Sequence, residues 1–128
     1  MKESEQIKEI HISESSIKKI INKIKNLKFS DLKKTEHYEK SVLMKNTDED
    51  LLEKRFIEFD RIKSCAYRVR ENGYNNYDLH YEEDDGTFIL IAINLEIDPP
   101  ELINGFKYHT IYKNFINSLI KNYAKRLV

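Results

Sequence analysis

The sequence predicts an α+β fold: an antiparallel meander of three or more strands, packed against an N-terminal amphipathic helix and a long C-terminal helix. Three observations carry that expectation. Apolar residues recur at helical spacing near both ends, three β-type runs follow one another in the middle, and glycine-bearing turns separate those runs. With 128 residues the chain has the length of one domain, so residues 1–128 are read as a single α+β unit.

Ile10-His11-Ile12 is short and β-branched, and reads as a brief strand or a lead-in. After Ser13, a residue suited to capping, Ile17, Ile20, Ile21, Ile24 and Leu27 share one helix face over 13–27, and most of the lysines fall off that face. Tyr38, Val42 and Met44 alternate on one side of His37–Lys45, which suggests a weak strand. Thr47 and the acids Asp48, Glu49 and Asp50 then suit the positive end of a helix dipole, and Leu52, Phe56 and Phe59 continue a helix over about 48–60.

The central runs are Lys63–Glu71, Asn75–Glu83 and Thr87–Ile97. Asp84-Asp85-Gly86 suits a three-residue hairpin loop with glycine in the left-handed conformation, setting Tyr81 opposite Ile89, Leu79 opposite Ile91 and Tyr77 opposite Ile93. A loop of Asn72, Gly73 and Tyr74 would set Val69 opposite Tyr77, Tyr67 opposite Leu79 and Cys65 opposite Tyr81. Both registers put the apolar residues on one face, which should receive the helices. Asp98-Pro99-Pro100 ends the third run, and the following segment is expected to form a turn closed by Gly105. Ile111, Phe115, Leu119, Tyr123 and Leu127, reinforced by Tyr112, Ile116 and Ile120, make the last twenty residues one docked helix.

Charge is balanced in sum and segregated along the chain. Residues 1–47 carry eleven positive and seven negative side chains (+4), 48–104 carry six and fifteen (−9), and 105–128 carry five and none (+5). A net charge of zero disfavours nucleic acid as a partner. Lysines such as Lys18, Lys19, Lys23, Lys25, Lys113 and Lys121 read as solvated helix faces. No apolar run approaches the ~20 residues of a spanning helix, so no membrane partner is expected. The single Cys65 and the lack of a signal-peptide pattern point to a reducing, cytoplasmic location.

No metal-ligand spacing, phosphate-cradling glycine loop or catalytic motif is present, and no cofactor is expected. The acids at 82–85 lack the alternating oxygen ligands of a calcium loop and read as a charged hairpin tip. Cys65 alternates with Tyr67 and Val69 and reads as an inert buried thiol.

Two functions are weighed. The leading one is a non-enzymatic protein-binding module, an antagonist such as an immunity protein or antitoxin that neutralises a basic partner, for example a nuclease toxin. Its contact residues would be Asp48, Glu49, Asp50, Tyr74, Glu82, Glu83, Asp84 and Asp85, with acids speeding encounter and aromatic anchors prolonging it. The alternative is a small RNase or nucleotide-binding enzyme. It would use Arg68, Arg70, Asp78 and His80, which the expected register gathers on the other, half-solvated sheet face.

Overall fold

The computed structural model describes residues 5–70 and 75–128 and has an α+β architecture. Six strands form one mixed, mostly antiparallel sheet: β1 (Glu5–His11), β2 (Lys33–Lys34), β3 (Ile62–Arg70), β4 (Asn76–Glu82), β5 (Phe88–Asn94) and β6 (Glu101–Tyr108). Their spatial order is β1-β3-β4-β5-β6-β2, and only the short β2–β6 pair is parallel. The helices are α1 (Glu14–Ile24), α2 (Glu36–Met44), α3 (Glu49–Phe56) and α4 (Tyr112–Asn122).

Helix α1 forms as its pattern requires. Ser13 accepts the Ser16 amide at its start, and Ile17, Ile20 and Ile24 are buried. These three pack with Tyr38 of α2 and with Leu52 and Phe56 of α3 onto Cys65, Leu79, Tyr81, Ile89, Ile91, Ile93 and Leu102. The apolar sheet face thus receives three helices.

The expected strand at 37–45 is instead helix α2. Thr35 accepts the Tyr38 amide as an N-cap, acids Glu36 and Glu39 occupy the first turn, and Tyr38 and Ser41 face inward. The capping signal outweighs the alternation, and Leu43 and Met44 are left exposed. The helix expected over 48–60 is shorter: α3 ends at Phe56, and Phe59–Arg61 forms a 3-10 turn.

The segment expected to turn at Gly105 is β6. A bulge lies here, because Ala92 pairs with Asn104 but Ile93 pairs with Leu102, so the extra residue Ile103 breaks the two-residue period. That break hides the strand from an alternation search. Gly105 lies where two side chains approach closely: a Cβ there would lie 3.0 Å from Leu52 Cδ1 and 3.2 Å from Tyr38 Cε1, so those side chains would have to shift slightly to admit one.

The β4–β5 register is as the sequence predicts, with Tyr77↔Ile93, Leu79↔Ile91 and Tyr81↔Ile89. The β3–β4 register is two residues away from the expected one, with Tyr67↔Tyr77 and Cys65↔Leu79. A two-residue slip keeps every side chain on its face, so apolar alternation alone leaves it undetermined. Specific partners accompany the observed choice: Tyr67 meets Tyr77 at 4.9 Å between ring centroids, and Ser64 pairs with His80. The turn containing Asn72, Gly73 and Tyr74 lies outside the described residues.

The C-terminal helix is shorter than expected. It stops at Asn122, and after a 3-10 turn Leu127 bridges Ile10 in parallel while the Val128 amide donates to the Ile10 carbonyl at 3.0 Å. The tail thus pairs with β1, while Tyr123 and Leu127 stay partly exposed. Helix α4 also covers the second face of the sheet, where Tyr112 and Ile116 pack on Phe88, Leu90, Ala92 and Ile103. That face was expected to be half-solvated. Its neighbours include Phe88 and Leu90, whose apolar surface is buried only if the amphipathic α4 lies over it.

Candidate functional site

The acidic hairpin between β4 and β5 forms as its turn chemistry dictates. The Glu83 amide donates to Thr87 O at 2.8 Å, Gly86 has φ +89°, and Asp85 Oδ1 accepts from the Thr87 amide at 3.0 Å. The Thr87 hydroxyl and amide bonds hold the Asp85 carboxyl below its ordinary range.

Neighbouring acids here have different tasks. Glu83 is buried and accepts Arg55 Nε at 2.6 Å and Nη2 at 3.2 Å, tying the hairpin to the C-terminal end of α3. Asp84 is exposed and meets Arg61 at 3.0 Å. Asp60 and Glu82 form no ion pair among the described residues. Together Asp60, Glu82, Glu83 and Asp84 line a depression of about 440 Å³, with Arg61, Lys63 and Gly86 completing it. With Glu83 taken up by Arg55 and Asp84 by Arg61, Asp60 and Glu82 are the lining acids without an ion pair among the described residues.

The other acids selected from sequence are separate. Asp48 caps α3 by accepting the Asp50 amide at 3.0 Å, Glu49 accepts Tyr38 Oη at 2.9 Å and Lys34 Nζ at 2.8 Å, and Asp50 is exposed. The Lys34 hydrogen bond, followed by that of Tyr38, lowers the Glu49 pKa. At a rise of ~1.5 Å per residue, the length of α3 puts these acids ~10 Å from the Arg55–Glu83 end. The sequence-selected acids therefore form two patches, and Tyr74 lies outside the described residues.

The polar set on the other face sits beneath α4. Tyr112 Oη donates to Ser64 Oγ at 2.9 Å, and Ser64 Oγ is 2.7 Å from His80 Nδ1. Ser64 Oγ, already accepting from Tyr112, has both its proton and a second lone pair left for Nδ1, so the direction of this bond follows the ring tautomer, while the buried Nε2 has no hydrogen-bond partner among the described residues. The ring stands edge-on to Phe88 and Phe115, with centroids 6.0 and 5.0 Å away. Burial, aided by the positive charge of Arg68, pushes the His80 pKa down to about 3. Further along, Arg68 Nε donates to Asp78 Oδ2 at 2.5 Å and Asn76 Nδ2 to Asp78 Oδ1 at 2.7 Å. Arg68 lies diagonal to Asp78 rather than directly opposite it, following the two-residue change of register. Arg70 closes β3 across from Glu5.

A serine beside an imidazole is the geometry of a nucleophile and its base. Ser64 is 0 % exposed and His80 is 1 % exposed, so a substrate would reach them only after α4 moved away. Sequence reasoning found His80, Arg68 and Asp78 but missed Ser64 and Tyr112, because the register joining Ser64 to His80 is undetermined by alternation.

A consequence is measurable. Unfolded, His80 takes up a proton near 6.5, whereas folded it stays neutral down to about 3. Its contribution to stability is whole above the unfolded value and is lost as pH falls from there toward the folded one, at ~1.4 kcal/mol per pH unit while the difference of one proton persists. The urea midpoint should therefore fall between pH 7 and pH 5, and His80→Gln should remove most of that slope. Equal slopes in the two proteins would contradict a buried neutral imidazole.

Cys65 is buried, which pushes its thiol up to about 12. Tyr81 is core and donates to Phe56 O at 2.9 Å, while Tyr67 and Tyr77 are half-buried beside Lys23 and Glu96. Among the described residues no group of three or more His, Cys, Asp or Glu side chains is placed to hold a metal, and no helix is long and apolar enough to cross a membrane. No protein-family model, curated protein or solved structure matches the chain.

Proposed function

We propose that the chain is a non-enzymatic protein-binding module, an antagonist such as an immunity protein or antitoxin that neutralises a basic partner. The observation that supports this most is the depression at the hairpin tip, where Asp60, Glu82 and the exposed Asp84 lie together beside Arg61 and Lys63, Glu83 being taken up by Arg55. The acidic middle of the chain adds a field that would steer a positively charged protein toward this surface. A cytoplasmic location fits the lone buried thiol.

Glu83 has a folding task, so the test uses its neighbours. In the combined variant Glu82→Lys, Asp84→Lys and Asp85→Lys, association with a basic protein captured from native cells should slow by about tenfold or more at low salt. The wild-type rate should fall toward that of the variant as salt rises. An unchanged rate in the variant would remove the hairpin tip from the interface. The purified chain is also expected to leave RNA intact. RNA cleavage that disappears in His80→Ala would replace this reading with the small-RNase alternative.

A further inference from the structure

Beside the acidic depression lies a second one of about 530 Å³, and the two share Asp60 and Lys63 as a common wall. Its apolar lining comes from three elements that meet here: Ile17 and Ile21 of α1, Phe59 of the 3-10 turn and Ile62 of β3. Ile12, between β1 and α1, lines it too and is 40 % exposed. Phe59 and Ile21 are half-buried, and the charged residues of this lining are Glu14 and Asp60 with Lys18 and Lys63, so apolar surface meets solvent beside these charges and next to the acids of the hairpin tip.

We propose that the two depressions form one docking surface for a basic amphipathic segment of a partner protein. This deepens the reading of the chain as a binder of basic proteins and rests on it. Charge and polarity select the occupant. An apolar side chain seated among Ile12, Ile21 and Phe59 loses contact with water and gains packing. A lysine or arginine next to it in the same segment reaches Asp60, Glu82 and Asp84 across the shared wall. An acidic segment would fill the groove but meet those carboxylates, and a purely basic one would leave the groove wet. Only a segment with both features satisfies the two halves together.

The test uses three short labelled peptides: a Leu/Lys peptide of helical period, the same peptide with serine for leucine, and the same peptide with glutamate for lysine. Fluorescence anisotropy measures their binding to the full chain, to Ile12→Asp and to Asp60→Lys with Asp84→Lys. Circular dichroism checks folding, and Ile21→Ala replaces Ile12→Asp if the latter unfolds. The Leu/Lys peptide is expected to bind saturably and one to one, about tenfold or more tighter than either control, with a similar loss in both variants. If the groove variant binds it as wild type does, or the serine peptide binds equally, the groove is excluded while the acidic reading stands. If the charge variant binds as wild type does, or no peptide binds, the acidic reading falls and the proposal with it. Self-association that Ile12→Asp abolishes would make a second copy of the chain the occupant and overturn the proposal.

Discussion

Replacing Glu83 with lysine should destabilise the fold by on the order of 3–5 kcal/mol, whereas the same change at Asp84 should cost less than about 1 kcal/mol. The two acids are adjacent, but their side chains are 8 % and 92 % exposed. Glu83 fills a two-bond contact with Arg55, which also meets Glu58 at 2.9 Å. A lysine there would put one buried cation against another and release the hairpin from α3. Asp84 holds Arg61 at the surface, where water screens the pair. Urea denaturation of the two variants checks this. Equal small losses would mean that the Arg55–Glu83 contact does not hold the tip to the helix layer.

Arg68→Ala is the second large effect, also expected at on the order of 3–5 kcal/mol. A cross-strand ion pair at a solvated face is worth only ~0.2–1 kcal/mol. Here the Asp78 side chain is 5 % exposed beneath the α4 layer, and without Arg68 it keeps only the Asn76 amide of the two bonds described above. An uncompensated carboxylate in that position carries most of the loss. Arg68→Lys should fall between wild type and alanine, since it keeps the charge and loses the Nε–H aimed at Asp78. A loss below ~1 kcal/mol for Arg68→Ala would indicate that water reaches Asp78 and that α4 does not seal this face.

The parts of the fold legible in the sequence are those specified locally. Ser13 with its isoleucine stripe defines α1, and Asp84-Asp85-Gly86 fixes the β4–β5 register by turn geometry. What escapes local patterns depends on partners distant in sequence. Gly105 sits in β6 because Tyr38 and Leu52 close over it, and the bulge at Ile103 disrupts the alternation by which a strand is recognised. Tyr38 itself shows how Thr35 capping overrides a two-residue pattern. The candidate site divides the same way. Tip acids were visible from composition, but the difference between Glu83 and Asp84 arises from Arg55, which lies far away in sequence. Likewise, the sequence predicts a half-solvated polar face, whereas α4 packs over it, since an amphipathic stripe does not specify which side of a sheet it covers.

The central claim is that the hairpin depression recognises a basic partner. A two-dimensional amide NMR titration of the 15N-labelled chain with the Leu/Lys peptide tests it most directly. Shifts should concentrate at residues 60–63 and 82–86 and fade as salt shortens the screening length from ~10 Å at 0.1 M toward ~3 Å at 1 M. Shifts centred instead on the exposed acids of α2 or at Glu9 and Glu96, with the hairpin unmoved, would contradict it.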